Sequence, residues 1–208
     1  MKRFFRDIDF AHRRRWPGRH LNLASCAWLL ASSPGLRLLM LHRINHWLYS
    51  KRANDGKVAW RWRVLSLLLA PLRWAIKIDS RSDLDELMEM AGGVCFSDVG
   101  QIIYETQSTG EGTVIGPRVT VGMRLTDPEH PVIGRNVWIG PDCVVYGPIR
   151  IGDGATLLPG TVLTKSIAAG AVMQGNPARM VLQGFDNTGL RMNRNADAMA
   201  LVIAQRGG

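Results

Sequence analysis

Residues 133–163 read IGRNVWIGPDCVVYGPIRIGDGATLLPGTVL, and an aliphatic side chain recurs in this stretch at every sixth position. The same spacing continues toward the N-terminus, with Asp127 as the interruption between Ile115 and Leu163. A glycine often follows the aliphatic residue, and a small or apolar residue often stands four positions after it. The sixfold series consists of Ile103, Thr109, Ile115, Val121, Asp127, Ile133, Ile139, Val145, Ile151, Leu157 and Leu163; the series four positions later contains Val119, Leu125, Val137, Cys143, Ile149, Ala155 and Thr161.

A period of six fits neither an α-helix nor an ordinary strand, whose side chains repeat every 3.6 and every two residues. It predicts a coil made of flat faces, with one inward aliphatic side chain for each face and a turn between faces. Three faces make a coil of about 18 residues, and stacked coils bury a continuous aliphatic column that no single repeat buries alone. We expect the glycines to occupy turns that need unusual backbone angles.

The first 92 residues follow a different pattern. Residues 1–20 are predicted to be a flexible basic arm. Apolar residues between 36 and 48 recur at three- and four-residue spacing, which predicts a helix. Pro71 is expected to kink or end a second apolar segment over 60–78. A short helix is expected over 82–93, with Ser82 as its cap.

Basic residues are concentrated in the first 77 positions. The chain of 208 residues has a formal net charge of +9, and a basic half suggests an anionic partner, with a solvated basic face as the alternative. Trp60, Trp62 and Trp74 alternate with arginines, a mixture typical of membrane–water interfaces. Packing within a helical subdomain or an oligomer contact accounts for these tryptophans, with peripheral membrane contact through the N-terminal region as the alternative. No nucleic-acid-binding motif accompanies the charge, and we expect no nucleic-acid partner.

The composition and the cysteine pattern limit the cellular compartments in which the protein is expected. Hydrophobic residues make up 46% of the chain, enough for a packed core. The three cysteines are widely spaced without a CxxC pair, which disfavours a disulfide framework or a zinc site and fits a reducing compartment. The apolar run over 64–72 is about half of the ~20 residues that a membrane span needs. We therefore expect a cytoplasmic protein, or one peripheral at the inner membrane face, without a bound metal.

Three segments resemble the hexapeptide-repeat acyltransferases, which move an acetyl group from acetyl-CoA to a hydroxyl or an amine. They are HPVIGRNVWIG (130–140), IGDGATLLPGTVLTKSI (151–167) and GNPARMV (175–181). The whole layout, with helices before the repeats, is similar to serine acetyltransferases and their relatives in exopolysaccharide gene clusters. The resemblance implies an α+β chain in which a helical N-terminal region precedes a left-handed parallel β-helix.

This resemblance also implies a division of the chain and an assembly. We expect a basic, tryptophan-rich helical region over 1–92, the β-helix acyltransferase domain over 93–184 and a C-terminal tail over 185–208. The family implies a homotrimer or a dimer of trimers, with acetyl-CoA as co-substrate in the groove between adjacent β-helices.

Catalytic candidates follow from the same resemblance. His130 matches the second of two histidines that line the site of serine acetyltransferases, and Asp79 stands where an assisting aspartate is expected. The place of the first histidine falls on Ser97 or Asp98. We therefore expect His130 to be the general base, oriented by Glu129 or Asp98, because a histidine titrates near neutrality.

Two alternatives stay open: Asp98 is itself the base if burial raises its pKa, or the chain is a catalytically silent trimeric scaffold that binds a partner. The loop between Gly122 and His130 is shorter than in the family. The acceptor is therefore either serine or a sugar hydroxyl.

Candidate CoA-binding residues lie later in the repeats. The resemblance places Trp138 at the acceptor or CoA groove, with packing between coils as the alternative. It places the backbone of four turn residues beside the pantetheine arm, and the alternative is that these residues serve the turns alone. Two basic residues are expected near the CoA phosphates, and the alternative is that they belong to a solvated surface. The turn residues are Gly140, Pro141, Pro159 and Gly160, and the basic residues are Lys165 and Arg179.

Overall fold

The computed structural model describes residues 2–54, 59–123, 129–193 and 197–206, and every structural statement refers to these residues. Five helices precede the strands and two follow them. They are α1 (Lys2–Arg15), α2 (Leu23–Ser32), α3 (Pro34–Asn54), α4 (Ala59–Leu68), α5 (Ala70–Ser80), α6 (Thr188–Met192) and α7 (Ala198–Arg206).

Short strands between the two groups of helices form three sheets. Sheet A contains β1 (Asp83–Leu84), β4 (Ile103–Tyr104), β7 (Thr120–Gly122), β10 (Val144–Tyr146) and β13 (Val162–Leu163). Sheet B contains β2 (Glu89–Met90), β5 (Ser108–Thr109), β8 (Val132–Ile133) and β11 (Arg150–Ile151). Sheet C contains β3 (Cys95–Phe96), β6 (Val114–Ile115), β9 (Trp138–Ile139), β12 (Thr156–Leu157), β14 (Ala171–Gln174) and β15 (Arg179–Gln183).

The chain visits sheets A, B and C in rotation, which confirms the predicted coil of three faces. Strands stack in parallel on the strand one coil earlier, and only the terminal pair β14–β15 is antiparallel among the described strands. Val145 pairs with Leu163 and Ile139 pairs with Leu157, in each case after three full repeats of the sixfold series. We name the turns between faces by the sheets they join: the A–B corner, the B–C corner and the C–A corner.

The sixfold aliphatic series lines the interior of this prism. Every described member from Thr109 to Leu163 is at most 3% exposed, as are all but one of the described residues four positions later. Ile103 is a wrong assignment: it is 51% exposed, and Tyr104 points inward. The physical reason is the coil length, because Tyr104 pairs with Val121, one position short of three full repeats, and the sixfold register slips by one. Leu125 and Asp127 lie outside the described residues.

The glycines that follow the aliphatic residues serve a different purpose from the one predicted. Gly140 does not adopt a positive φ; the left-handed residue of this corner is Asp142, with φ 59°. A Cβ at Gly140 would lie 2.8 Å from the carbonyl oxygen of Leu157 and 3.0 Å from the nitrogen of Pro159. The glycine is therefore needed for the close approach of stacked backbones.

The predicted flexible arm is wrong, because residues 2–15 form helix α1. Asp7 on this helix is fully buried, and its Oδ1 accepts hydrogen bonds from the backbone nitrogens of Gly93 (2.7 Å) and Val94 (3.2 Å). Arg43 of α3 pairs with Asp7 at 3.1 Å and donates to the carbonyls of Met90 and Ala91. Burial raises the pKa of Asp7, against the opposing effect of Arg43. The contacts of the Asp7–Arg43 ion pair therefore hold the basic helix α1 against the first coil.

The predicted helix over 82–93 is also wrong. This segment forms β1 and β2, the first two faces of the coil. Leu84, Met88 and Met90 point into the prism and the intervening residues do not, which gives each face an inward apolar residue. Asp85 accepts a hydrogen bond from the backbone nitrogen of Leu87 and closes the turn between the two strands. The parallel strands therefore begin at Asp83, and the division of the chain at residue 93 stays a prediction.

Other predictions for the helical region are confirmed. The apolar stripe over 36–48 lies within α3, and Pro71 stands in the first turn of α5, just after α4 ends at Leu68. Helix α3 crosses sheet C at Gly35, where a Cβ would clash with the carbonyl oxygen of Phe96. No single described helix is long and apolar enough to cross a membrane; residues 23–32 and 34–51 reach that length and composition only as a pair bent by 96°.

The C-terminal helices close the outer side of sheet C. Asn187 donates its side-chain amide to the carbonyls of Asn136, Gly154 and Ala155, which docks the start of α6 on two successive coils. Beneath the helices lies a second apolar cluster, made of Leu158, Val172, Phe185, Leu190, Ala198 and Val202. Since α1 and α3 pack against β3, segments of the chain itself cover much of sheet C.

Candidate active site

His130 stands at the A–B corner, between β7 and β8. Its side chain is 30% exposed and lines an open cleft of about 500 Å³. The first coil forms the opposite wall. The cleft is lined by Asp85, Leu87, Met88, Thr106, Gln107, Glu129 and His130. A histidine and several polar groups around a surface cleft are what a site for a small polar acceptor requires.

The carboxylate nearest to the imidazole in the described part of the chain belongs to Glu105, which the sequence reasoning missed. Its Oε2 lies 3.8 Å from Nε2 of His130. The backbone nitrogen of Glu105 donates to the carbonyl of Val121 at 2.9 Å, which fixes this residue on the coil below the loop of His130. A register that placed Tyr104 inward would have put Glu105 at the same corner as His130.

Asp98 and Asp79 lie near the C–A corner, on another edge of the prism. Asp98 accepts a hydrogen bond from the hydroxyl of Ser33, just before α3. Asp79, near the end of α5, accepts a hydrogen bond from Arg37 at 2.5 Å. Within one chain the structure therefore does not bring either aspartate to His130, whereas Glu129 lines the same cleft.

The four turn residues predicted to flank pantetheine come together at the C–A corner. The nitrogen of Gly140 donates to the carbonyl of Leu157, and the nitrogen of Gly160 donates to the carbonyl of Pro141, each at 2.9 Å. Gly160 is exposed with φ +74°, and a Cβ on it would have no heavy atom within 4 Å. The backbone at this corner is therefore open to an extended ligand.

The three remaining candidates are dispersed. Trp138 packs against the second apolar cluster beneath the C-terminal helices. Lys165 is exposed at the A–B corner after β13, and Arg179 is exposed at the start of β15. Their roles in CoA binding stay predictions.

The C–A corner also contains an ion pair and a cysteine. Arg118 and Asp142 form a two-point ion pair across successive coils, with distances of 2.5 and 2.6 Å. The hydrogen bonds from Arg118 lower the pKa of Asp142. Burial raises the pKa of the Cys143 thiol to about 12, so this cysteine is not a nucleophile near neutral pH. No three His, Cys, Asp or Glu side chains cluster as a metal site would require within the described ranges.

Comparison with known proteins matches both the repeats and the whole layout. The family model "Bacterial transferase hexapeptide (six repeats)" matches residues 130–165. A serine acetyltransferase of Synechococcus elongatus is 28% identical over 178 residues, 84% of this chain and 68% of that protein. One of Mycobacterium tuberculosis is 28% identical over 161 residues, 75% of this chain and 64% of that protein. The chain thus spans about two thirds of the length of these relatives.

The crystal structure of a serine acetyltransferase from Vibrio cholerae superposes with a TM-score of 0.72 at 20% identity, over 95% of this chain and 70% of that one. This agreement confirms the predicted α+β fold, a helical N-terminal region followed by a left-handed parallel β-helix. In sequence and in fold, the chain is thus similar to hexapeptide-repeat acyltransferases, and among them to serine acetyltransferases.

Proposed function

We propose that the protein is an acetyl-CoA-dependent O-acetyltransferase that acts on serine or on a sugar hydroxyl of an exopolysaccharide precursor. The similarity to serine acetyltransferases supports the acyltransferase class. The observation that carries the proposal is His130, a partly exposed imidazole at a coil corner, in an open cleft and next to the carboxylate of Glu105.

In this mechanism His130 removes the proton of the acceptor hydroxyl as its oxygen attacks the thioester carbonyl carbon. The C–S bond then breaks, the acetyl group stays on the acceptor oxygen, and the imidazolium returns its proton to the CoA sulfur. Glu105 faces Nε2, so it holds the proton of the ring on that nitrogen and leaves Nδ1 as the base. The 3.8 Å separation is longer than a hydrogen bond, and such catalytic contacts tighten when substrate binds.

Acetyl-CoA fits the C–A corner. The open backbone around Gly160 accommodates an extended pantetheine chain, and Pro159 beside it is exposed. CoA carries several phosphate charges. In this proposal Lys165 and Arg179 bind them once a neighbouring copy brings the two edges together.

We further propose that the functional unit is a homotrimer that turns sheet A toward the threefold axis. The outward residues of sheet A are apolar at Ile103, Val144 and Val162, whereas sheet B presents Glu89 and Arg150. The helices of the chain already cover much of sheet C, which leaves sheet A as the apolar face for association.

This arrangement explains why the candidate residues lie on two edges. Sheet A is bounded by the A–B corner and the C–A corner, so a ring of three copies places one corner of each copy beside the other corner of its neighbour. His130 of one copy would then face Asp98, Asp79 and the pantetheine corner of the next.

A mixing experiment tests the shared site. His130→Ala removes the base, and Pro159→Trp blocks the pantetheine corner, so each variant alone should be inactive. In randomly mixed trimers, about a quarter of the sites join an intact A–B corner to an intact C–A corner, and about a quarter of the wild-type rate should return. No recovery in confirmed mixed trimers would place the whole site within one copy.

A direct assay tests the reaction. Thiol release from acetyl-CoA is followed with serine, other amino acids and sugars as acceptors. His130→Ala should lower kcat at least ~100-fold, while His20→Ala, a matched change at an exposed histidine outside the coil, should leave it unchanged. Turnover of serine supports the amino-acid acceptor, and turnover of sugars alone supports the polysaccharide acceptor.

A second candidate function is a catalytically silent scaffold. It is favoured by the loss of the first histidine and by the engagement of Asp98 with Ser33. Absence of both turnover and CoA binding by calorimetry would support it.

The location of the protein belongs to the same proposal. We place it in the cytoplasm, in peripheral contact with the inner membrane face through the basic N-terminal region, where lipid-linked sugars are accessible.

A further inference from the structure

Helices α4 and α5 carry a large exposed apolar surface, which we call the α4–α5 surface. Trp60 is 64% exposed, Leu67 73%, Leu68 69% and Trp74 70%. Seven exposed apolar side chains on two helices that contact each other indicate a binding surface rather than the scattered exposure common on soluble proteins. The exposed members are Trp60, Val64, Leu67, Leu68, Leu72, Trp74 and Ile78.

The charges on this surface are almost all positive. Residues 59–80 contain Arg61, Arg63, Arg73 and Lys77 but only one acidic residue, Asp79. Asp79 is already engaged by Arg37, and Lys77 pairs with Asp83 at 2.7 Å. Arg61 and Arg63 stand exposed on α4 among the apolar residues.

This charge pattern decides between two occupants. A second copy pressed onto the same surface would place Arg61 and Arg63 against their own counterparts, and like charges across an interface are costly. An anionic lipid surface complements them, because tryptophan and leucine side chains enter the boundary between head groups and acyl chains while arginines meet the phosphates. We propose that the α4–α5 surface binds the face of an anionic phospholipid bilayer.

The surface is joined to the cleft of His130 through α3. Trp62 of α4 stacks edge-on against Trp47 of α3, with ring centroids 5.3 Å apart. Asn45 of α3 donates to the carboxylate of Glu86 at 3.0 Å. Glu86 lies between two residues that line the cleft. Binding therefore brings the cleft near the membrane, which favours an acceptor carried on a lipid. The inference deepens the proposed peripheral contact by naming its surface and the charge of its lipid, and in these respects it rests on the proposed function.

Vesicle flotation with the full chain tests the surface. Phosphatidylcholine vesicles are compared with vesicles that contain about 30% phosphatidylglycerol. We expect at least about tenfold more binding to the anionic vesicles, and loss of most of it at about 0.5 M salt. Trp60→Ser with Trp74→Ser, and separately Arg61→Gln with Arg63→Gln, should each lower binding about tenfold.

Matched changes elsewhere serve as controls. Ile203→Ser on α7 removes a side chain as exposed as Trp60 (63%), and Arg150→Gln removes an exposed charge from sheet B; both should bind like wild type. Equal or absent binding of wild type to the two vesicle types would overturn the inference. So would a drop in particle mass of the tryptophan variant without any vesicle binding, which would assign the surface to a second copy. None of these readouts needs acetyl-CoA, so a failure of the proposed reaction stays separate.

Discussion

Glu105 is the single residue whose role is most open to a direct test. We predict that Glu105→Gln lowers kcat about tenfold and leaves the KM for acetyl-CoA unchanged, because in the proposed mechanism the carboxylate positions His130 and does not bind CoA. Steady-state kinetics separate the two constants. Glu105→Asp should recover part of the rate, and Glu111→Gln at the exposed B–C corner should leave it unchanged. A loss of thermal stability large enough to account for the lower kcat would instead make Glu105 a structural residue.

Gly140 is decisive for packing between coils. A Cβ would meet the carbonyl oxygen of Leu157 at 2.8 Å and Cζ3 of Trp138 at 2.9 Å, so Gly140→Ala should lower the free energy of unfolding by about 1–3 kcal/mol. Chemical denaturation measures the loss. At Gly122, where the nearest contact of a Cβ is 3.6 Å away, the same change should cost less than about 1 kcal/mol. Equal losses at both positions would contradict the close-approach explanation.

Helix α3 makes the docking of the helical region dependent on pH. Burial, with help from Arg43 and His46, lowers the pKa of His42 to about 4 from its usual 6.5. The side chain is 4% exposed, and its Nδ1 has no hydrogen-bond partner within the described ranges. Asp85 on the first coil opposes the shift but does not cancel it. The imidazole of His42 therefore binds a proton less readily in the folded state than in the unfolded state.

The sign of this linkage sets the prediction. A depressed histidine pKa means that stability is fully present above about pH 6.5 and is lost as the pH falls toward about 4. His42 should contribute a loss of about 3 kcal/mol between pH 7 and pH 4. Denaturation at several pH values, compared between wild type and His42→Leu, isolates this part. An unchanged pH slope in the variant would mean that His42 is accessible to protons in the folded state.

The proposed trimer is a property of the whole molecule. Ile103→Arg puts a charge on the outer side of sheet A and should reduce the particle to a single chain, with loss of activity because the two halves of the site separate. Ser108→Arg makes the same kind of change on sheet B and should leave the mass unchanged. Light scattering after size-exclusion chromatography measures the particle mass of both variants. A trimer that survives Ile103→Arg but not Ser108→Arg would assign the interface to sheet B.

The accuracy of the sequence-based predictions followed coil length. Where a coil spans three full repeats, as from Val145 to Leu163, the sixfold rhythm placed the inward side chains correctly. The earlier coils depart from three repeats in both directions. Leu84 pairs with Tyr104 two positions late and Met90 pairs with Thr109 one position late, whereas Tyr104 pairs with Val121 one position early. Strands of two or three residues are recognised in a sequence only by the sixfold repeat. Because the first coil departs from that repeat, its sequence was predicted to be a helix.

The aliphatic rhythm by itself determined the three-faced coil and its core, because each inward position is specified by neighbours within one repeat. The tertiary structure alone decided which polar residues share a corner. Glu105 lies beside His130 and Asp98 does not, since corner membership depends on the summed lengths of the intervening coils and loops. Tertiary contacts also ordered α1 around the buried Asp7 and left the α4–α5 surface exposed, and neither outcome is encoded in local periodicity.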